Sequence, residues 1–220
     1  MTKNKNNEVS QNEVNDADAI AKIVAKYVAD ANAAIDSRLN VRANIASEKS
    51  VNAKNADHFN RARSLMNDEA IATLLATSNC DATRFAKLQV YAIKKENAVL
   101  TYLHNKSAKL DDYIAEIFVS AYRQQNEARE KLFTKNDAKK ALDRDYFDNR
   151  ATDEEKTYLT RYHKIIADNT ISAQHKTTLD ALCALQILEF VSTFETRDAY
   201  RVNFDNALTK RFAEKLAIAS

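Results

Sequence analysis

Asp143, Asp145, Asp148 and Glu154 crowd one short stretch of the chain. The first, second and fourth fall at positions 1, 3 and 12 of a calcium-binding loop, where oxygen-bearing side chains surround a hard cation. Two departures weaken the match. Phe147 stands at the fifth position, where an oxygen ligand belongs, and Asp148 replaces the glycine of the sharp turn. The favoured reading is a charged turn that ends with acids in the first turn of a helix after Thr152.

Basic residues offer a second chemistry. Lys139, Lys140 and Arg144 form one group, Arg197 and Arg201 flank Tyr200, and Lys210, Arg211 and Lys215 follow one another near the end of the chain. If these groups gathered on one face they would make a nucleic-acid contact surface. Acids are interleaved with each group, and the net charge is only +2, so solvated helix surface is the preferred reading.

Other chemistry is scarce. A ferritin-like di-iron site needs Glu-x-x-His on two helices, yet Asn55, Thr101, Thr160 and Ser172 stand three residues before His58, His104, His163 and His175. Cys80 and Cys183 form no metal or disulfide pattern. The chain has no glycine, which excludes the P-loop, the dinucleotide-binding turn and the nucleophile elbow, because each needs backbone geometry that a Cβ obstructs. No cofactor motif remains. An enzyme or small-ligand sensor would need a polar pocket in which residues such as His163 or Asp180 converge.

These residues must be carried by helices. Neither glycine nor proline occurs among 220 residues, whereas alanine occurs 36 times and asparagine 21 times. Apolar residues recur at helical spacing in Ile20, Ile23, Val24, Tyr27, Val28, Ala31, Ile35 and Leu39, starting from an N-cap at Asn15. A second stripe runs from Phe59 to Leu75 with a polar break at Asn67, Asp68 and Glu69, and others start at Phe85 and Leu110. Thr134 with Asp137, and Thr152 with Glu155, have the spacing of capping boxes. A long helix from Ser172, carrying Leu179, Leu182, Leu185, Leu188, Val191 and Phe194, is apolar around most of its circumference and is expected at the centre. Phe204, Leu208, Phe212 and Leu216 make the last stripe. Asn79, Asn105, Asn136, Asn149 and Asn169 are expected to supply the left-handed residues that end helices elsewhere as glycine.

The expected fold is therefore all-α: an elongated bundle of about six to eight helices around a buried C-terminal helix, with no β-sheet. Residues 1–14 read as a flexible polar tail, and 15–220 as a single helical domain with a sub-division at 15–134 and 135–220 as the alternative. No signal-peptide h-region or membrane-spanning run is visible, since Ala181–Val191 is short and interrupted by Gln186 and Glu189. A cytoplasmic location, or one within a viral particle, is expected. The leading functional expectation is a non-enzymatic structural or adaptor protein that contacts other protein subunits, copies of itself included, in a larger assembly such as a virus particle. Nucleic-acid binding is the first alternative and a ligand pocket within the bundle the second.

Overall fold

The computed structural model describes residues 5–43, 49–105, 107–191 and 198–218, with side chains described for 16–40, 55–105, 107–191 and 198–218. Its contacts divide the chain into two compact units: Met1–Thr77 with Ala82–Lys87, and Ser78–Asp81 with Leu88–Ser220.

The first unit holds α1 (Lys5–Ala43), α2 (Lys49–Met66), α3 (Glu69–Thr77) and a 3-10 turn (Ala82–Ala86). The α2–α3 break falls where the polar triplet stands, and Asp68 Oδ1 caps the new helix by accepting from Ile71 N at 3.1 Å. Tyr27, Ala31, Ala34 and Ile35 of α1 are buried, as are Phe59, Ala62, Leu65 and Met66 of α2, Ile71, Ala72 and Leu75 of α3, and Phe85 of the turn. Arg84 is buried with them. Its guanidinium donates to the Tyr27 hydroxyl at 2.5 Å and lies 4.3 Å from the Phe85 ring centroid, so a hydrogen bond and an aromatic face offset the cost of burying its charge. Residues 5–14, assigned to a polar tail on composition, lie within the span of α1.

The second unit holds α4 (Val90–His104), α5 (Asp112–Glu127), β1 (Phe133–Thr134), α6 (Lys135–Lys140), α7 (Arg144–Asn149), α8 (Asp153–Tyr158), α9 (Asp168–Ala184), β2 (Leu188–Val191), β3 (Ala199–Val202) and α10 (Ala207–Lys215). Helix dominates, with ten α-helices among the described residues. The expectation of no β-sheet is corrected: β1, β3 and β2 form an antiparallel sheet in that order, with Phe133 opposite Tyr200 and Phe190 opposite Tyr200 on the other side.

The sheet exists because the long C-terminal helix stops early. Gln186 takes a left-handed conformation (φ 56°), and the amides of Gln186 and Ile187 return to Cys183 O and Leu182 O at 2.9 and 3.0 Å. This is the Schellman pattern, and it turns Leu188 and Val191 out of the helix and into β2. Strands of two and four residues carry too little alternation to register as a period in the sequence. The sheet also borrows a side chain. Gln125 of α5, fully buried, donates from Nε2 to Tyr200 O at 2.9 Å and accepts from Val202 N at 2.7 Å, which extends the ladder on the side of β3 where β1 has ended.

Without glycine, four described residues hold positive φ: Asn79 (56°), Gln186 (56°), Asp198 (57°) and Ala217 (54°). The expectation that asparagine fills these positions holds at Asn79 alone. Asn105 is extended, and Asn136, Asn149 and Asn169 lie inside α6, α7 and α9. Ala217 ends α10 with a second Schellman pair, from Ala217 N to Glu214 O and from Ile218 N to Ala213 O.

Candidate functional site

Two capping boxes organise the acid-rich stretch. Thr134 Oγ1 accepts from Asp137 N at 3.1 Å while Asp137 Oδ2 accepts from Thr134 N at 2.9 Å. Thr152 and Glu155 repeat the arrangement at 3.2 and 2.9 Å. One lysine joins the two boxes: Lys140 Nζ lies 2.5 Å from Glu155 Oε1 and 3.9 Å from Asp137 Oδ1. The Tyr146 hydroxyl also donates to Glu155, at 2.9 Å. Partial burial opposes the charge on Glu155, but Lys140, the Thr152 amide and Tyr146 outweigh it and bring the carboxyl down to about 2. The same surroundings hold the Lys140 ammonium above its ordinary range, again against desolvation.

The calcium-loop spacing is not drawn into one cluster of carboxylates: α7 occupies the stretch the loop would need and each carboxylate is engaged with another partner. Asp143 caps α7 through Tyr146 N at 2.9 Å and accepts from Arg150 at 2.9 Å. Asp145 faces Arg150 at 3.1 Å and Asn149 at 2.8 Å. Asp148 takes both Arg161 donors, at 2.6 and 3.0 Å, and this pairing lowers its pKa. Glu154 pairs with Lys131 at 2.5 Å. Among the described residues no group of three or more His, Cys, Asp or Glu side chains is disposed to hold a metal ion.

The basic candidates have diverse fates. Lys140 belongs to the capping network, and Arg144 reaches His163 O at 3.3 Å and Asp148 at 3.5 Å. Arg211 donates to Leu103 O at 3.3 Å, while Lys215 donates to Tyr102 O and, at 2.9 Å, to Asn105 O. These two cations fasten α10 to the carbonyl end of α4, where a helix favours positive charge. Arg201 stands opposite Glu189 in the sheet and lines a cleft of about 250 Å³ with Arg129, whose guanidinium is 3.5 Å from the Phe204 ring centroid. Lys210 is exposed on α10. Arg197 lies outside the described residues.

Lys139 lies beside other cations in two adjoining clefts. Three hollows adjoin along α6 and α9. The first, of about 380 Å³, includes Asn136, Lys139, Lys140, Arg150 and Ser172. The second, of about 320 Å³, is lined by Thr134, Lys135, Asn136, Lys139 and Asp198. The third, of about 260 Å³, includes Lys135, Lys176, Asp180, Cys183, Phe190 and Tyr200. Lys135 is paired with Asp198 at 3.2 Å. Neither Lys139 nor Lys176 has a carboxylate partner among the described residues. Sequence reasoning passed over Lys135 and Lys176. The i,i+4 spacing of Lys135 and Lys139 was the local signal; the approach of Lys176 depends on how α6 packs on α9.

His175 reports the field these lysines create. It is 2% exposed, with Nδ1 2.9 Å from Ile171 O and Nε2 buried without a partner. Burial lowers its pKa against the help of the Ile171 carbonyl, and Lys139, Lys135 and Lys176 all lower it further. Asp180 is shifted the other way, raised by burial against the pull of Lys176 and Lys135. Burial and Asp180 push the Cys183 thiol up to about 12, which leaves it protonated and unreactive at neutral pH. His163 does not meet Asp180; it stands exposed, 3.4 Å from Asp112.

A different kind of surface lies on α1. The stripe that buries Tyr27, Ala31, Ala34 and Ile35 continues toward the N-terminus as Ile20, Ile23 and Val24, but Ile20 is 44% and Ile23 56% exposed. Asn67 reaches Asn32, and Arg63 pairs with Asp36, so α2 ends beside the middle of α1 and does not run on beside its earlier turns. No described helix is long and apolar enough to cross a membrane. Comparison with protein families, with curated proteins and with solved structures found no match for the chain.

Proposed function

We propose that this chain is a non-enzymatic structural or adaptor protein that acts through protein–protein contacts within a larger assembly, and that the early turns of α1 are a contact surface. The observation that carries the reading is the apolar stripe of α1 running on past its last buried residue, with Ile20 and Ile23 open to solvent. An amphipathic helix gains most of its stability from packing its apolar face, and among the described residues nothing covers Ile20 and Ile23. The absence of glycine, which removes phosphate-binding loops and nucleophile elbows, supports a role without catalysis.

Nucleic-acid binding is the weaker reading. Lys140, Arg144, Arg211 and Lys215 all hold intramolecular carboxylates or carbonyls, and binding a phosphate backbone would require several of them to let go. The test of the leading reading is purification of the protein from its native source and measurement of the mass of what comes with it. A complex heavier than the 24.9 kDa chain, lost in the Ile20→Lys, Ile23→Lys variant, is the expected outcome. A lone wild-type monomer contradicts it.

A further inference from the structure

We propose that the hollow between Lys135 and Lys139 is an oxyanion site that takes the phosphate group of a small ligand, with Lys176 as a third cation at its edge. Nearly everything around the hollow donates hydrogen bonds or carries positive charge. Lys135 and Lys139 contribute ammoniums, Asn136 contributes an amide, and the single acid, Asp198, is tied to Lys135 at 3.2 Å. Lys176 and Asp198 belong with Lys135 to the adjoining hollow, so the three cations share one neighbourhood.

Elsewhere in this unit several cations are paired with carboxylates. Lys95 holds Asp111 at 2.7 Å, Lys140 holds Glu155 and Arg161 holds Asp148. Among the described residues, half-buried Lys139 has no such partner and exposed Lys176 has none either. Uncompensated like charges placed close together cost stability, and the cost is relieved by a bound anion, whose affinity is strengthened by charge-assisted hydrogen bonds. The depressed titration of His175, to which all three lysines contribute, agrees with a positive field at this place. A hollow of about 320 Å³ has room for a phosphate and part of an ester body. The neighbouring hollow, which also holds Asp180 and Lys176, offers Leu179, Phe190 and Tyr200 as an apolar side for the rest, which favours a phosphate monoester over a bare ion.

The experiment follows the His175 imidazole by proton NMR in the full chain while inorganic phosphate, or separately phenyl phosphate, is added at constant ionic strength. Phosphate neutralises the lysine field, so the His175 titration moves upward on addition. Phenyl phosphate does this at lower concentration than inorganic phosphate if the apolar wall is used. Lys139→Gln combined with Lys176→Gln weakens binding on the order of tenfold or more, without loss of fold, because neither side chain holds an internal partner. Asp198→Asn, which keeps a residue tolerant of the left-handed backbone, removes the carboxylate that lines this hollow, leaves Asp180 in the adjoining one, and tightens binding several-fold. Absence of any phosphate-dependent shift at millimolar concentration, or an equal shift in the double lysine variant, overturns the proposal. Equal response to both phosphates overturns the ester preference.

Discussion

Two helices of the molecule, α1 and α9, solve the same problem in opposite ways. α9 buries Ile171, His175, Leu179, Ala181 and Leu182, and β2 continues directly from its cap. α1 buries its stripe only from Tyr27 onward and leaves Ile20 and Ile23 in solvent. Both carry apolar residues at helical spacing, so periodicity alone does not distinguish a helix that buries its whole apolar face from one that leaves part of it in solvent. The difference lies in what packs against each helix, and that is where function is read.

The comparison breaks first at the core. Leu182→Ala, at a fully buried position of α9, is expected to cost about 2–5 kcal/mol in denaturant unfolding, whereas Ile20→Lys with Ile23→Lys should change chain stability by no more than about 0.5 kcal/mol. A large loss from the α1 pair would mean that its stripe serves the fold.

Next in size is the capping network. Glu155→Gln takes the carboxylate from Lys140 and is expected to cost on the order of 1–3 kcal/mol. The wild type should lose the same contribution in acid. The carboxyl is lowered from 4.5 to about 2 on folding, so its stabilisation is complete above about pH 4.5 and fades as pH falls toward 2. An acid-unfolding profile unchanged by Glu155→Gln would remove the network from the account.

His175 sharpens the description of α9. Its folded-state pKa is depressed, so the unfolded chain takes up a proton more readily and stability declines as pH falls below the unfolded imidazole value near 6.5. His175→Gln should flatten this part of the stability profile; an unchanged slope contradicts the burial argument.

The smallest effect concerns helix ends. Gln186 and Ala217 hold left-handed conformations that glycine adopts without steric cost. Gln186→Gly and Ala217→Gly are expected to raise stability by up to about 1 kcal/mol each, read from shifts in unfolding midpoint. Destabilisation would show that the side chains make up the difference by packing.

What the chain disclosed in advance was local. The boxes at Thr134 with Asp137 and Thr152 with Glu155 formed as their spacing implied, and the polar triplet at Asn67 to Glu69 became a helix break, because each depends on residues within one turn of each other. The sheet was missed, since Leu188 and Val191 fit a helical period and only the left-handed turn at Gln186 diverts them. The asparagine rule succeeded at Asn79 and failed at Gln186, Asp198 and Ala217, where paired hydrogen bonds at a helix end or the hairpin register impose the backbone on whatever residue is present. Lys139 was visible as a cation but the nearby hollow lined by Lys176 was not, because it is made by the packing of α6 on α9. The closure of one part of α1 and the openness of another likewise depend on where α2, α3 and the 3-10 turn pack on it.

The most direct test of the account is backbone amide hydrogen exchange along α1, measured in the purified chain and in the complex isolated from the native source. Residues 16–26 should exchange much faster than residues 27–35 in the chain alone and become protected to a similar degree in the complex. Equal protection of both stretches in the chain alone, or no gain over 16–26 in the complex, would contradict the assignment of this face to protein contacts.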